Sequence, residues 1–194
     1  MSQFKSNSVR CSTGILCMLF LLSSACVMAL EVGTGVADIT PDTSAYKVPM
    51  AGYGARLGRP AKGVHDPLHA KVLYLTDGNQ QMALITVDLR SCTPEFKKQL
   101  VSKSNDLGLT TDNIFIAASH THAGPSMYPE KFWQMQFGKY DPEIVEIMTT
   151  AIAKAVHEAA ASIQAARMGY AVVLAEGLTR NRRWGYDTEK READ

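Results

Sequence analysis

Two histidines separated by one residue close an apolar run: Ile114-Phe115-Ile116-Ala117-Ala118-Ser119 leads into His120-Thr121-His122-Ala123-Gly124-Pro125. Imidazole is the commonest metal ligand among side chains and titrates nearest to neutral pH, so such a pair suits a metal site or proton transfer. The apolar run is short and bounded by turn residues, which reads as a buried strand. In extended chain, residues i and i+2 share a face, so this spacing predicts two imidazoles leaving the strand side by side. Strand ends that feed loops are where α/β proteins place ligand and catalytic groups. A surface His pair in a turn satisfies the same spacing, and two ligands alone do not make a zinc site.

Other polar residues have two readings each. Asp88 ends the strand-like run Ala83-Leu84-Ile85-Thr86-Val87. It can orient a metal-bound imidazole as a hydrogen-bond acceptor behind the ligand, or cap the turn that follows. His65, in the turn His65-Asp66-Pro67, either reaches the site from a long loop or makes a structural hydrogen bond. His69 opens a strand at the surface, and His157 belongs to the packing of an Ala-rich helix. Cys92 stands before the helix start Thr93-Pro94-Glu95, where a thiolate is favoured, but a buried small apolar role suits it better. The chain has no Gly-x-Gly-x-x-Gly, phosphate loop, Gly-x-Ser-x-Gly elbow or His-Glu-x-x-His helix. Basic residues are scattered without interleaved aromatics, so nucleic acid is not an expected partner. A metal-assisted hydrolase built around His120 and His122 is the chemistry left standing.

The elements that must position these residues follow from patterning. A strand over Glu31–Pro41, at an edge, is followed by a Gly- and Pro-rich loop over Asp42–Asp66. Long ordered loops of this kind are usually functional. Ala70–Thr76 and Met82–Asp88, joined by Asp77-Gly78-Asn79, predict a β-hairpin. Thr93 caps a helix that Gly108 stops, and Asn113–Ser119 is the strand ending in the His pair. Gly124–Tyr140 reads as a second long loop carrying Phe132, Trp133 and Phe137. Asp141 caps a long helix with apolar positions Ile144, Met148, Ile152, Val156 and Ile163, and Met168–Glu176 is a last strand. The expected fold class is α/β, a mixed sheet with helices packed on it, in a single domain.

The 194 residues, 46% hydrophobic and 20% charged, suit one globular domain. Residues 1–29 differ from the rest. Lys5 and Arg10 precede an apolar stretch from Gly14 to Met28, and Val27-Met28-Ala29 offers small residues before a cut, the layout of a secretory signal peptide. Lipidation at Cys26, after Ser24-Ala25, is the alternative processing, and an exported location is expected either way. Cys11, Cys17 and Cys26 lie in this leader, so Cys92 has no partner for an internal disulfide in the mature part. Without the leader 18 basic residues face 19 acidic ones, which implies no strong pull toward polyanions.

Several segments together resemble one family. Gly35-x-x-Asp38-Ile39-Thr40-Pro41, Met50-Ala51-Gly52-Tyr53-Gly54, Gly63-Val64-His65-Asp66-Pro67-Leu68, Val87-Asp88 and Ser119-His120-Thr121-His122-Ala123-Gly124-Pro125 occur in the order of the N-terminal catalytic domain of neutral/alkaline non-lysosomal ceramidases. The resemblance spans Val32 to Trp184 and implies a ceramidase-like part over 30–184, with a charged tail over 185–194. It implies a Zn2+-dependent amidase that releases a fatty acid from ceramide-like lipid substrates, with peripheral membrane contact. On that resemblance His120 is the zinc ligand, His122 contacts the scissile amide, and Arg182, in Asn181-Arg182, lines the same site. Zinc lowers the pKa of its water to about 7 and polarises the carbonyl. The family's second His, Glu and Tyr ligands, and a Ser and a Tyr near the reaction, stand downstream of its Asn-Arg segment. Here Arg183-Trp184 follows instead of Ser-Pro, so the expectation is a partial catalytic domain, inactive by itself. A non-catalytic exported α/β domain that binds a lipid or a partner is the competing expectation.

Overall fold

The structure, a computed structural model, describes residues 29–178. Its elements are β1 (Glu31–Asp38), β2 (His69–Thr76), β3 (Gln81–Val87), α1 (Pro94–Ser102), β4 (Ile114–Ala118), α2 (Lys131–Phe137), α3 (Pro142–Ala161) and β5 (Gln164–Ala165). The five strands form one sheet in the order β4-β3-β2-β1-β5. β1–β2, β2–β3 and β1–β5 are antiparallel, and β3–β4 is parallel, so the sheet is mixed and the domain single.

Local chemistry explains most boundaries. The β2–β3 turn closes because Gly78 takes a φ of 86° and the Asp77 carboxylate accepts the N–H groups of Asn79 and Gln80. The Thr93 hydroxyl accepts the Phe96 N–H at the start of α1, and Asp141 accepts the Glu143 N–H at the start of α3. Each helix has proline in its first turn, where no N–H is needed. β3 to β4 is a parallel step and needs a crossover, which α1 supplies.

One face of the sheet carries the core. Ala37, Val72, Ile85, Val87 and Ile114 pack with Phe96 and Leu100 of α1 and with Ile144, Met148, Ile152 and Val156 of α3. β1 meets α3 through Gly33 and Gly35. A Cβ there would lie 1.8 Å from the Ala159 carbonyl oxygen and 2.1 Å from that of Ala155, so only glycine admits the helix.

Four sequence expectations change. β1 is second from the edge, although β5 covers only Glu31 and Val32. The helix begun at Thr93 ends at Ser102, and a separate 3-10 turn, Asn105–Leu107, runs to Gly108 with φ 69°. The Gly124–Tyr140 loop contains α2, a helix too short to show periodicity. It is held by i, i+4 stacking of Trp133 on Phe137 with centroids 5.7 Å apart. No strand forms over Met168–Glu176. The antiparallel register sets Gln164 and Ala165 against Val32 and Glu31, so later residues run past the start of β1 and meet no strand edge. His157 does serve packing: its ring donates to the Ala153 carbonyl at 2.8 Å and to Asp106 at 3.0 Å. Among the described residues no helix is long and apolar enough to cross a membrane. The leader, Cys26 and the charged tail lie outside the described residues.

Candidate functional site

The His pair sits where β3 and β4 end. The Ser119 N–H still pairs with the Val87 carbonyl at 3.0 Å, and then His120 turns into the left-handed region with φ 58°. The motif is therefore kinked rather than extended. The rings nevertheless come together, with centroids 5.1 Å apart and planes at 56°. A left-handed non-glycine residue is uncommon and tends to mark functional turns.

The Gly-Tyr loop folds onto this turn. Ala51 N–H donates to Gly124 C=O at 3.0 Å, and Ser126 N–H to Pro49 C=O at 2.8 Å, which stitches the two loops as a short antiparallel ladder. Tyr53 then meets the edge of the His122 ring with centroids 4.7 Å apart and planes at 77°. Arg56 donates to the His122 carbonyl at 2.8 Å while its guanidinium lies 5.2 Å from the Tyr53 ring centre. Gly52, at φ 82°, passes under the ring so closely that a Cβ would stand 2.3 Å from its Cγ. Tyr53 and Leu57 are themselves left-handed, at φ 45° and 53°, so the loop holds its shape under strain.

The electrostatics favour the neutral form of His122. Loss of solvation lowers its pKa below the ordinary value, and the neighbouring His120, Arg90 and Arg56 add to the shift. A neutral imidazole has a lone pair free for a metal or a proton. Arg90 is held from behind: it hydrogen-bonds the Tyr128 hydroxyl and stacks 4.5 Å over the Phe137 ring. Its buried Nε has no hydrogen-bond partner among the described residues.

His65 and Asp88 gather elsewhere. They line a cavity of about 330 Å³ with Asp66, Thr121, Met50 and Leu68, on the Thr121 side of the motif. Asp88 accepts the His69 N–H at 3.1 Å, a contact between the end of β3 and the start of β2. His65 is exposed and pairs with Asp66 at 2.6 Å, a contact that raises its pKa. Among the described residues neither bonds to His120 or His122. Asn181 and Arg182 lie outside the described residues. Cys92 is half-buried, and lost solvation pushes its thiol up to about 12, so the helix start does not activate it. Arg56 and Arg90 escaped the sequence reading. Tyr53 was within a quoted segment, but no role was read for it. The signal for Arg56 was its position next to the Gly-Tyr loop, and for Arg90 its place two residues after Asp88.

The described donors fit zinc in type and charge but not in number. Two imidazoles converge, and no group of three or more His, Cys, Asp or Glu side chains stands close enough to hold an ion among the described residues.

The described residues form a mixed α/β domain that presents paired imidazoles where its strands run out into loops. More narrowly, the model of the neutral/alkaline non-lysosomal ceramidase N-terminal region matches residues 30–192, and the chain belongs to that family. It is 34% identical over 106 residues to a neutral ceramidase of Mycobacterium tuberculosis, across 51% of this chain and 16% of that protein. It is 34% identical over 122 residues to neutral ceramidase 2 of Arabidopsis thaliana, across 59% of this chain and 15% of that one. The crystal structure of neutral ceramidase from Pseudomonas aeruginosa superposes with a TM-score of 0.62 at 21% identity, covering 71% of this chain and 22% of that one, and confirms the fold. The chain thus spans about a sixth of the length of the curated relatives it matches.

Proposed function

We propose that this chain carries the His-Thr-His part of a zinc-dependent hydrolase of N-acyl amide bonds, acting on ceramide-like lipids after export. One observation supports it most: His120 and His122 converge, and Tyr53, Arg56 and Gly52 fix the second ring in place. His120 is the residue to hold Zn2+. Zinc bound there would supply a Lewis acid that polarises an amide carbonyl and acidifies water. The chain's own residues do the rest. His122, with its neutral form favoured, accepts a proton or donates a hydrogen bond to the substrate amide. Arg182, carried in from beyond the described residues, adds positive charge for the oxygen of the carbonyl. His65 and Asp88 stand aside from this centre, lining their own cavity. The leader over residues 1–29 takes the protein to an exported compartment, where membrane lipid is within reach.

The test is hydrolysis of a fluorogenic N-acyl substrate in buffer with added zinc. Any turnover is expected to be abolished by chelator, restored by zinc and lost by at least ~100-fold in His120→Ala, the scale of losing a group that stabilises developing charge. Chelator-resistant turnover refutes the metal reading. No turnover is the expectation of a part inactive by itself, whereas no zinc binding that depends on His120 favours the alternative, a non-catalytic exported domain that binds a lipid or a partner. That alternative draws on the same count of two converging imidazoles.

A further inference from the structure

The sheet has one covered face and one open one. Helices α1 and α3 lie on the side of Val72, Ile85 and Ile114. On the other side strand pairing aligns Val32, Leu75 and Met82 in one row, and Leu73, Leu84 and Phe115 in the next. Phe115 is 53% exposed there. Contiguous apolar surface of this kind marks an interaction site. Leu75 is an exception: it is 5% exposed although it lies outside the core cluster beneath the helices. It belongs to a groove of about 380 Å³ whose walls include Leu30, Met82, Phe115 and Met168. Met168 is therefore already on the open face.

Met168 also starts a segment with strand composition and no partner. Met168, Tyr170, Val172 and Leu174 alternate with Gly169, Ala171, Val173 and Ala175, so an extended chain puts the large residues on one side. Tyr170 is 95% exposed and Val172 90%. The segment is tethered at its start, where Ala166 N–H donates to Leu30 C=O at 2.7 Å. A strand rises ~3.3 Å per residue, so Tyr170 to Leu174 spans about the length of β4.

We propose that Met168–Leu174 closes over the open face, crossing the strands so that Tyr170, Val172 and Leu174 pack in turn on the row Leu73, Leu84 and Phe115. A segment packed in the orthogonal manner sits ~10 Å above the sheet. The segment's own tether favours it over a second copy of the chain, because docking is then intramolecular. The open face, four strands about 4.8 Å apart and five residues long, offers a few hundred Å², below the ~800 Å² per partner of a stable dimer. The strand starts at the end of the sheet where Met168 lies beside Asn113 and Gln81.

Thiol labelling tests the docking without reference to zinc or turnover, so its outcome is separable from that of the hydrolase assay. The full chain with Cys11, Cys17 and Cys26 replaced by serine has Cys92 as its remaining thiol, half-buried and with its pKa pushed up to about 12, and its own labelling rate, measured in that parent, is subtracted. Into it Val172→Cys and Val173→Cys are introduced separately. Docking predicts that position 172, facing the sheet, labels at least ~10-fold more slowly than 173, at every protein concentration; a tenfold ratio corresponds to ~1.4 kcal/mol of closure. Phe115→Asp on the sheet and, independently, Leu174→Asp on the segment remove the difference. Equal rates at 172 and 173 overturn the proposal. So does a difference that grows with protein concentration, which assigns the face to a second copy.

Discussion

At the scale of single residues, His122 is fixed by three contacts that act on different parts of it. Tyr53 holds the ring edge, Arg56 holds the carbonyl, and the missing side chain of Gly52 leaves the space the ring occupies. Gly52→Ala attacks the last. The left-handed backbone there costs an L-residue ~1–2 kcal/mol, and a Cβ at 2.3 Å from Cγ displaces the imidazole. The expected outcome is a folded protein that is ~1–2 kcal/mol less stable in urea and binds zinc at least ~10-fold more weakly by titration. Unchanged zinc affinity in a folded Gly52→Ala protein would falsify the packing of Gly52 against this ring. Much of the site was legible because it consists of residue types: His-Thr-His, Gly-Tyr and the turn residues around them. Arg56 and Arg90 were not, since their approach depends on loop closure through Ala51–Gly124 and Pro49–Ser126 bonds. The period-2 argument named neighbours correctly but by a different route, because His120 is left-handed and the chain is not extended there.

Among the elements, the seating of α3 on β1 decides the architecture. It depends on Gly33 and Gly35, whose absent side chains let the helix carbonyls come close. Gly35→Ala forces a methyl to 2.1 Å from the Ala155 oxygen, against backbone on both sides. Overpacking of this kind costs ~1–3 kcal/mol, and an urea midpoint lowered by that amount is expected. An unaltered midpoint shows that helix and strand can part without cost. The C-terminal half of α3 has a second tie, His157 to Asp106. Its pH dependence has a defined sign. The His157 pKa is raised, by the Ala153 carbonyl first and Asp106 second, so its contribution is full below the unfolded value near 6.5 and is lost as pH rises through the folded one. The Asp106 pKa is lowered, mainly by the His157 hydrogen bond, so its contribution is present above 3.8 and is lost as pH falls below. His157→Ala should therefore lower the urea midpoint more at pH 5 than at pH 8, and an equal effect at both would leave the pair without an ionic component. Both long helices were legible from Thr93-Pro94 and Asp141-Pro142, whose caps work as their composition implies. α2 and the absent strand over Met168–Glu176 were not. The first is fixed by aromatic stacking, and the second by a register that only the folded sheet defines.

For the whole molecule, the governing quantity is ligand number. A catalytic zinc takes three protein ligands and keeps a position for water. The described domain brings two imidazoles together and no group of three metal-ligating side chains. Each lost ligand weakens binding steeply, because the enthalpy of the remaining bonds must offset the full cost of stripping water from the ion. The domain can hold its fold without the metal, since its core lies between the sheet and α1 and α3, apart from the strand ends where the imidazoles stand. Zinc removal should then leave the urea midpoint of this chain nearly unchanged, in contrast to small domains that fold around their metal. Zinc itself should exchange on desalting and bind in the micromolar range or weaker, with His120→Ala abolishing the residue of binding and His65→Ala leaving it intact. Metal analysis after desalting checks this. Near-stoichiometric zinc that survives the column requires at least one further ligand from residues outside 29–178, and the midpoint would then rise with zinc by mass action, RT ln(1 + [L]/Kd).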